Sequence, residues 1–198
     1  MVLLMLSEFD VALKKANEVN ALLRRSGEKF VELPKIIDAV KEKSGYNNIS
    51  LYFEDFSTIK KGSLSQAGAM LSTKEVDGKK TAEIIVNSCY EPRIQRFSVV
   101  HELGHLITNV PNYQYETPND GRFTISYHIN ADVTYITEKE CKKDPYKMAE
   151  QIANIFALMV LIPDKITIPK MVDEGVETLA STYGVSEEAL YSRMLFSV

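Results

Sequence analysis

Histidine is scarce in this chain, at three in 198 residues. Cysteine is scarcer still: Cys89 and Cys141 are the only two, and they lie too far apart for a paired metal spacing. They read as free thiols in a reducing compartment. Dense basic runs are missing. Arg24–Arg25 and Lys79–Lys80 are isolated pairs in a chain of formal net charge −4, which argues against nucleic acid as a direct partner. No apolar run is long enough to span a bilayer, "IFALMVLI" being the strongest away from the start. The opening "MVLLMLSEFD" has too short an apolar stretch for a secretory signal and no basic segment ahead of it. These absences predict a cytoplasmic protein with no membrane association. There is no internal repeat and no low-complexity tract. What remains is an ordinary globular composition, 45% hydrophobic and 25% charged, expected to form a single domain over 1–198 with a substantial core.

Patterning divides that domain into three parts. Helices are expected in 1–45: one over 7–27, with an apolar stripe of Phe9, Leu13, Ala16 and Leu23, and a second at "LPKIIDAVKEKSG" with Pro34 in its first turn and Gly45 after its end. Within 46–163, "NISLYFED", "GAMLST" and "TAEIIVNS" read as strands, the last two joined by a turn at Asp77–Gly78. A helix follows from about Pro92 to Thr108. The segment 111–143 contains "RFTISYHIN" and "DVTYIT", which alternate as a hairpin would. "DPYKMAEQIANIFALMVLIP" is a helix capped by Asp144, started by Pro145 and ended before Pro163. Short helices near 169–174 and 176–183, and one capped by Ser186, fill 164–198. Helices flanking a small sheet predict an α+β fold.

The scarce histidines are placed with purpose. "RFSVVHELGH" sets His101 and His105 four residues apart with Glu102 beside the first. On a helix, residues four apart share a face, so two imidazoles can meet at one point. Neutral imidazole nitrogen is a zinc ligand, and Glu102, rotated aside, is placed to act as a general base on water there. Val99, Leu103 and Ile107 supply a core face, and Gly104 permits close approach of another element. A catalytic zinc takes three protein ligands and leaves one position open. No histidine follows in reach. Glu150 is the better candidate, with Asp132, Glu138, Glu140 and Asp144 as competitors on spacing alone. Asn154, four residues after Glu150, can accept a ring N–H from a liganding histidine. Ala149, Ala153 and Ala157 form a small-residue column that lets the two helices close up.

"RFSVVHELGH" followed by "EQIANIFALMVLIP" resembles the ImmA/IrrE family of zinc metallopeptidases, with support from "EIIVN" and "YGVSEEALYSRM". The resemblance runs from about 30 to 196. It implies His101, His105 and Glu150 as Zn2+ ligands, Glu102 as the base, and a zincin-like pair of motif helices packed on a small sheet. It further implies a narrow-specificity endopeptidase whose substrate is a DNA-binding helix-turn-helix repressor of a phage, mobile element or stress regulon. This chain has too few residues ahead of its sheet for a fused DNA-binding domain, so the repressor is expected as a separate chain. The stretch between His105 and Glu150 is longer than is usual in that family, and it is expected to shape the cleft.

Other residues are open to two readings. Arg96, one turn ahead of the motif, either holds a carboxylate near the site or bridges helices. His128 or Tyr127 is the candidate donor to a transition-state oxyanion, though alternation puts them on opposite strand faces and a surface hairpin is the plainer reading. Phe156, Leu158, Met159 and Leu161 belong to the core. Leu190, Met194 and Phe196 cap the domain. The competing functional class is a metal-containing regulatory module that binds a repressor or another protein with little or no proteolysis.

Overall fold

The computed structural model describes residues 7–23, 28–58, 67–108, 124–129 and 145–196. In chain order these form α1 (Ser7–Leu23), α2 (Leu33–Ser44), β1 (Asn48–Glu54), a 3-10 turn (Phe56–Thr58), β2 (Ala67–Val76), β3 (Lys79–Asn87), α3 (Pro92–Thr108), β4 (Thr124–Ile129), α4 (Pro145–Leu161), α5 (Ile168–Glu174), α6 (Val176–Tyr183) and α7 (Glu187–Leu195). The architecture is α+β.

Local chemistry explains the boundaries. α2 has proline in its first turn and ends at Gly45 in the left-handed conformation, φ +76°, where the lack of a Cβ removes the steric penalty. Asp77 and Gly78 both take positive φ, 51° and 73°, as a two-residue hairpin matched to strand twist requires. α3 starts with Pro92 in the position where a missing N–H costs nothing. Ser186 caps α7 by accepting from the Ala189 amide at 3.3 Å. The first helix is described only to Leu23, so its expected stop at Gly27 lies outside the described residues.

The sheet order is β1-β3-β2-β4. β1 runs parallel to β3, and β2 lies antiparallel to both β3 and β4. The register aligns Ile49 with Ala82, Ala69 with Val86 and Leu71 with Ile84, all buried. That set forms the core face of the sheet, because residues two apart share a face. β4 comes from the first half of the expected hairpin, and its described partner is β2 of the central sheet. "DVTYIT" lies outside the described residues.

α3 and α4 meet at the centre of the core. Every residue of α3 from Arg96 to Thr108 is buried. α4 contributes Ala149, Ile152, Ala153, Phe156, Ala157, Leu158 and Leu161, while Met159 is only partly buried. α1 backs α4, and the Asn20 side chain donates to the Met159 carbonyl at 2.8 Å. The most deeply buried side chains of α1 are Ala12, Ala16 and Val19 rather than the larger Phe9, Leu13 and Leu23, which pack partly buried around them. The shorter side chains are wholly enclosed, and the bulky ones pack partly exposed beside them. At the far end, Leu190 is fully buried, with Met194 and Phe196 packed against the core. Arg193 ties α7 to the end of α4 by donating to the Ile162 carbonyl at 2.9 Å. Among the described residues no helix is long and apolar enough to cross a membrane.

Candidate metal centre

The i,i+4 spacing does on α3 what geometry requires: the Nε2 atoms of His101 and His105 face each other at 3.1 Å. From α4, Glu150 reaches in with one carboxylate oxygen 3.3 Å from His101 Nε2 and the other 3.4 Å from His105 Nε2. Among the described residues this trio is the one group of three or more such side chains able to hold a metal ion. Asp144, Asp132, Glu138 and Glu140 lie outside the described residues.

Asn154 sets the protonation of the centre. Its Oδ1 stands 2.8 Å from His101 Nδ1. An amide oxygen only accepts, so Nδ1 carries the proton and donates, and the Nε2 lone pair turns inward. The His101 Nε2 lone pair and the Glu150 carboxylate then converge with His105 Nε2, and a cation between the three would take a lone pair from each. The spacings fit one: ligand atoms about 2.0–2.1 Å from a tetrahedral metal stand about 3.3 Å apart. His101 is fully buried, and desolvation pushes its imidazole below the ordinary pKa, while Glu150 beside it pulls the other way. Burial thus keeps the ring neutral, the form that ligates.

The fit between helices depends on small residues. A Cβ built on Gly104 would lie 3.0 Å from Ala153 Cα, 3.1 Å from Ala153 O and 3.1 Å from Phe156 Cδ1. Ala149 and Ala157, a turn either side of Ala153, are also buried. With this column against Gly104, α4 approaches closely enough for Glu150 to meet both histidines. Glu102 is fully buried on the same helix, next in sequence to His101.

The remaining candidates divide. The Arg96 guanidinium lies 4.3 Å from the Phe30 ring centroid and donates to the Val31 carbonyl, so it bridges α3 to the segment ahead of α2. Tyr127 and His128 fall on β4, with Tyr127 registered opposite Met70; their side chains are outside the described part of the structure. One participant carried no motif: Gly68 of β2, which sits against Ser98 of α3. Its only signal was a glycine inside a strand pattern, often a mark of bulging or close backbone approach.

Residues 48–195 match the model of the IrrE N-terminal-like domain, a peptidase family designated M78. No curated protein and no solved structure gives a match. The matched span takes in the whole sheet and both helices of the metal centre. The chain belongs to the IrrE N-terminal-like domain family of peptidases.

Proposed function

We propose that this protein is a zinc-dependent endopeptidase of narrow specificity, acting in the cytoplasm on a helix-turn-helix repressor supplied as a separate chain. The observation that carries the reading is the convergence of His101, His105 and Glu150 with a buried glutamate, Glu102, on the same helix. The three ligands found among the described residues suit a catalytic zinc, whereas structural zinc is ordinarily closed by four. A purely structural site also has no use for a base beside it, which weighs against a non-proteolytic module.

Zinc, when bound, polarises the scissile carbonyl and lowers the pKa of water to about 7. Glu102 takes the proton from the water as its oxygen attacks the carbonyl carbon. Glu102 then returns that proton to the amine nitrogen as the C–N bond breaks, so one water is consumed and a carboxylate and an amine are released. Asn154 holds the His101 ring in the tautomer that ligates. The substrate lies extended along a strand edge beside α3, and among the described residues β4 is the outermost strand on the β2 side of the sheet.

The test is incubation of the purified protein with the repressor encoded beside its gene. Wild type cuts it at a defined bond, and Glu102→Gln, with its metal retained, does not. Equal cleavage by both proteins removes Glu102 from the mechanism. Stable binding without cleavage favours the regulatory module.

A further inference from the structure

We propose that Gly68 and Ser98 form a second seam on the metal helix, one that sets the position of the β2–β4 edge over the site, and that Gly68 is a positioning residue for substrate. The proposal deepens the proteolytic reading and rests on it for the substrate's place.

Gly68 is buried in β2, and a Cβ built on it would collide with Ser98 Oγ and lie 3.3 Å from Ser98 Cβ. Ser98 is 1% exposed, and its hydroxyl has no hydrogen-bond partner among the described residues. The contact is therefore steric: strand backbone rests directly on a small side chain of α3.

The sheet is irregular at the same place. β2 pairs with β3 in unbroken register from Ala69 to Val76. Against β4 the register jumps between Ala67–Ile129 and Met70–Tyr127, so Gly68 and Ala69 together face His128. A bulge of this kind bends its strand and increases the local twist. This one is held from both sides. The buried Asn87 amide donates to the Ala67 carbonyl at 3.0 Å on one side, and Ser98 supports Gly68 on the other.

Helix geometry relates the seam to the chemistry. At about 100° per residue, taking Ser98 as zero, His105 lies about 20° and His101 about 60° round one way, with Gly104 at about 120°. Glu102 lies about 40° round the other way. The two liganding histidines thus project between two close approaches, α4 against Gly104 and β2 against Ser98. The Gly104 seam sets the ligand spacing. The Ser98 seam, on the side of Glu102, sets the distance from the base to the strand edge. The two can be moved separately.

The experiment uses the full-length protein with its metal and four forms: wild type, Gly68→Ala, Ser98→Thr and the double Gly68→Ala/Ser98→Ala. Gly68→Ala and Ser98→Thr enlarge one contact from opposite sides. Each is expected to speed backbone hydrogen exchange in 67–73 and 124–129 by about tenfold or more, the signature of a locally loosened edge. Metal affinity, read by chelator competition, stays within about twofold, since no liganding side chain is altered and the Gly104 contact with α4 is left as it is. The double variant removes the hydroxyl and returns exchange toward wild type. On a cleaved repressor, Gly68→Ala raises KM more than it lowers kcat. Unchanged exchange at the edge in Gly68→Ala and Ser98→Thr overturns the proposal. So does loss of metal affinity in step with exchange, or failure of the double variant to recover. If Gly68→Ala does not fold, Ser98→Thr and the double variant decide it. A wild type that cuts no repressor counts against the proteolytic reading and leaves the exchange result to stand on its own.

Discussion

Asn154 on α4 accepts a hydrogen bond from His101 on α3 across 2.8 Å, joining the two helices at the atom opposite the one that faces the centre. The bond fixes both tautomer and ring orientation. Partners of this kind are worth about 10–100-fold in metal affinity. Asn154→Ala is expected to weaken metal binding on that scale while leaving the fold in place, as read by chelator competition and circular dichroism. Unchanged affinity would show that α3 alone orients the ring.

The centre itself predicts stoichiometry. Purified protein is expected to hold about one zinc per chain, one ion for the one trio of ligands. His101→Ala and His105→Ala each abolish it, because a two-ligand remnant of imidazole and carboxylate cannot retain the ion through dialysis. Elemental analysis of the three proteins decides this. Full occupancy in both variants would mean the metal sits elsewhere.

Much of this was legible from residues alone, for physical reasons. Pro92, Pro145 and Pro163 bracket two strongly patterned helices, and a helix converts spacing directly into geometry, so His101, His105, Glu150 and Asn154 could be placed on facing sides before any coordinates. Asp77–Gly78 announced its turn because few residue pairs accept two positive φ values. β4 was harder to place. Alternation marks a strand but not its partner, and the pairing with β2 spans more than fifty positions of sequence. Arg96 was legible as a bridge between elements, one of its two readings, but its partners were not: the structure stacks it on Phe30, far off in sequence. Ser98 was silent because a steric seam leaves no chemical signature in a serine, and Gly68 offered only a glycine within a strand pattern.

Glu102 is predicted to matter for rate and not for assembly. Glu102→Gln keeps nearly the same shape and can still hydrogen-bond, but it takes no proton. Cleavage of a genuine substrate should fall by at least about a hundredfold, the scale of a positioned acid–base group. Metal content should be unchanged. Activity within a few-fold of wild type would remove Glu102 from the proton path.

Gly104 is predicted to control ligand spacing. A methyl at this position meets Ala153 backbone at 3.0–3.1 Å and the Phe156 ring at 3.1 Å, and helix backbone yields less readily than a side-chain tip. Overpacking of this kind costs about 1–3 kcal/mol. Gly104→Ala should therefore lower thermal stability, and it should also loosen metal binding as Glu150 is carried away from the histidines. Loss of stability with metal affinity intact would show that Glu150 follows the histidines independently of the helix seam.

The buried imidazole makes a prediction about acid. Desolvation holds the His101 pKa below its ordinary value in the folded chain, against the opposing pull of Glu150. The unfolded chain titrates its histidine near about 6.5. Between the lowered folded pKa and that value, the unfolded state binds more protons at this position. Stability therefore rises with pH across that window and is lost as pH falls through it. Above the unfolded value the contribution is fully present and the profile from this group is flat. In metal-free protein, thermal midpoints should drop on acidification from about pH 7 downward. The part of that slope due to His101 should disappear in His101→Gln, which keeps a polar group for Asn154 but has nothing to titrate. Metal sharpens the effect, since only the neutral ring ligates and the bound ion competes with the proton. Metal-loaded protein should hold its midpoint to lower pH than metal-free protein and then lose it over a narrower interval. Identical slopes in wild type and His101→Gln, with and without metal, would show that this imidazole is not held neutral by the fold.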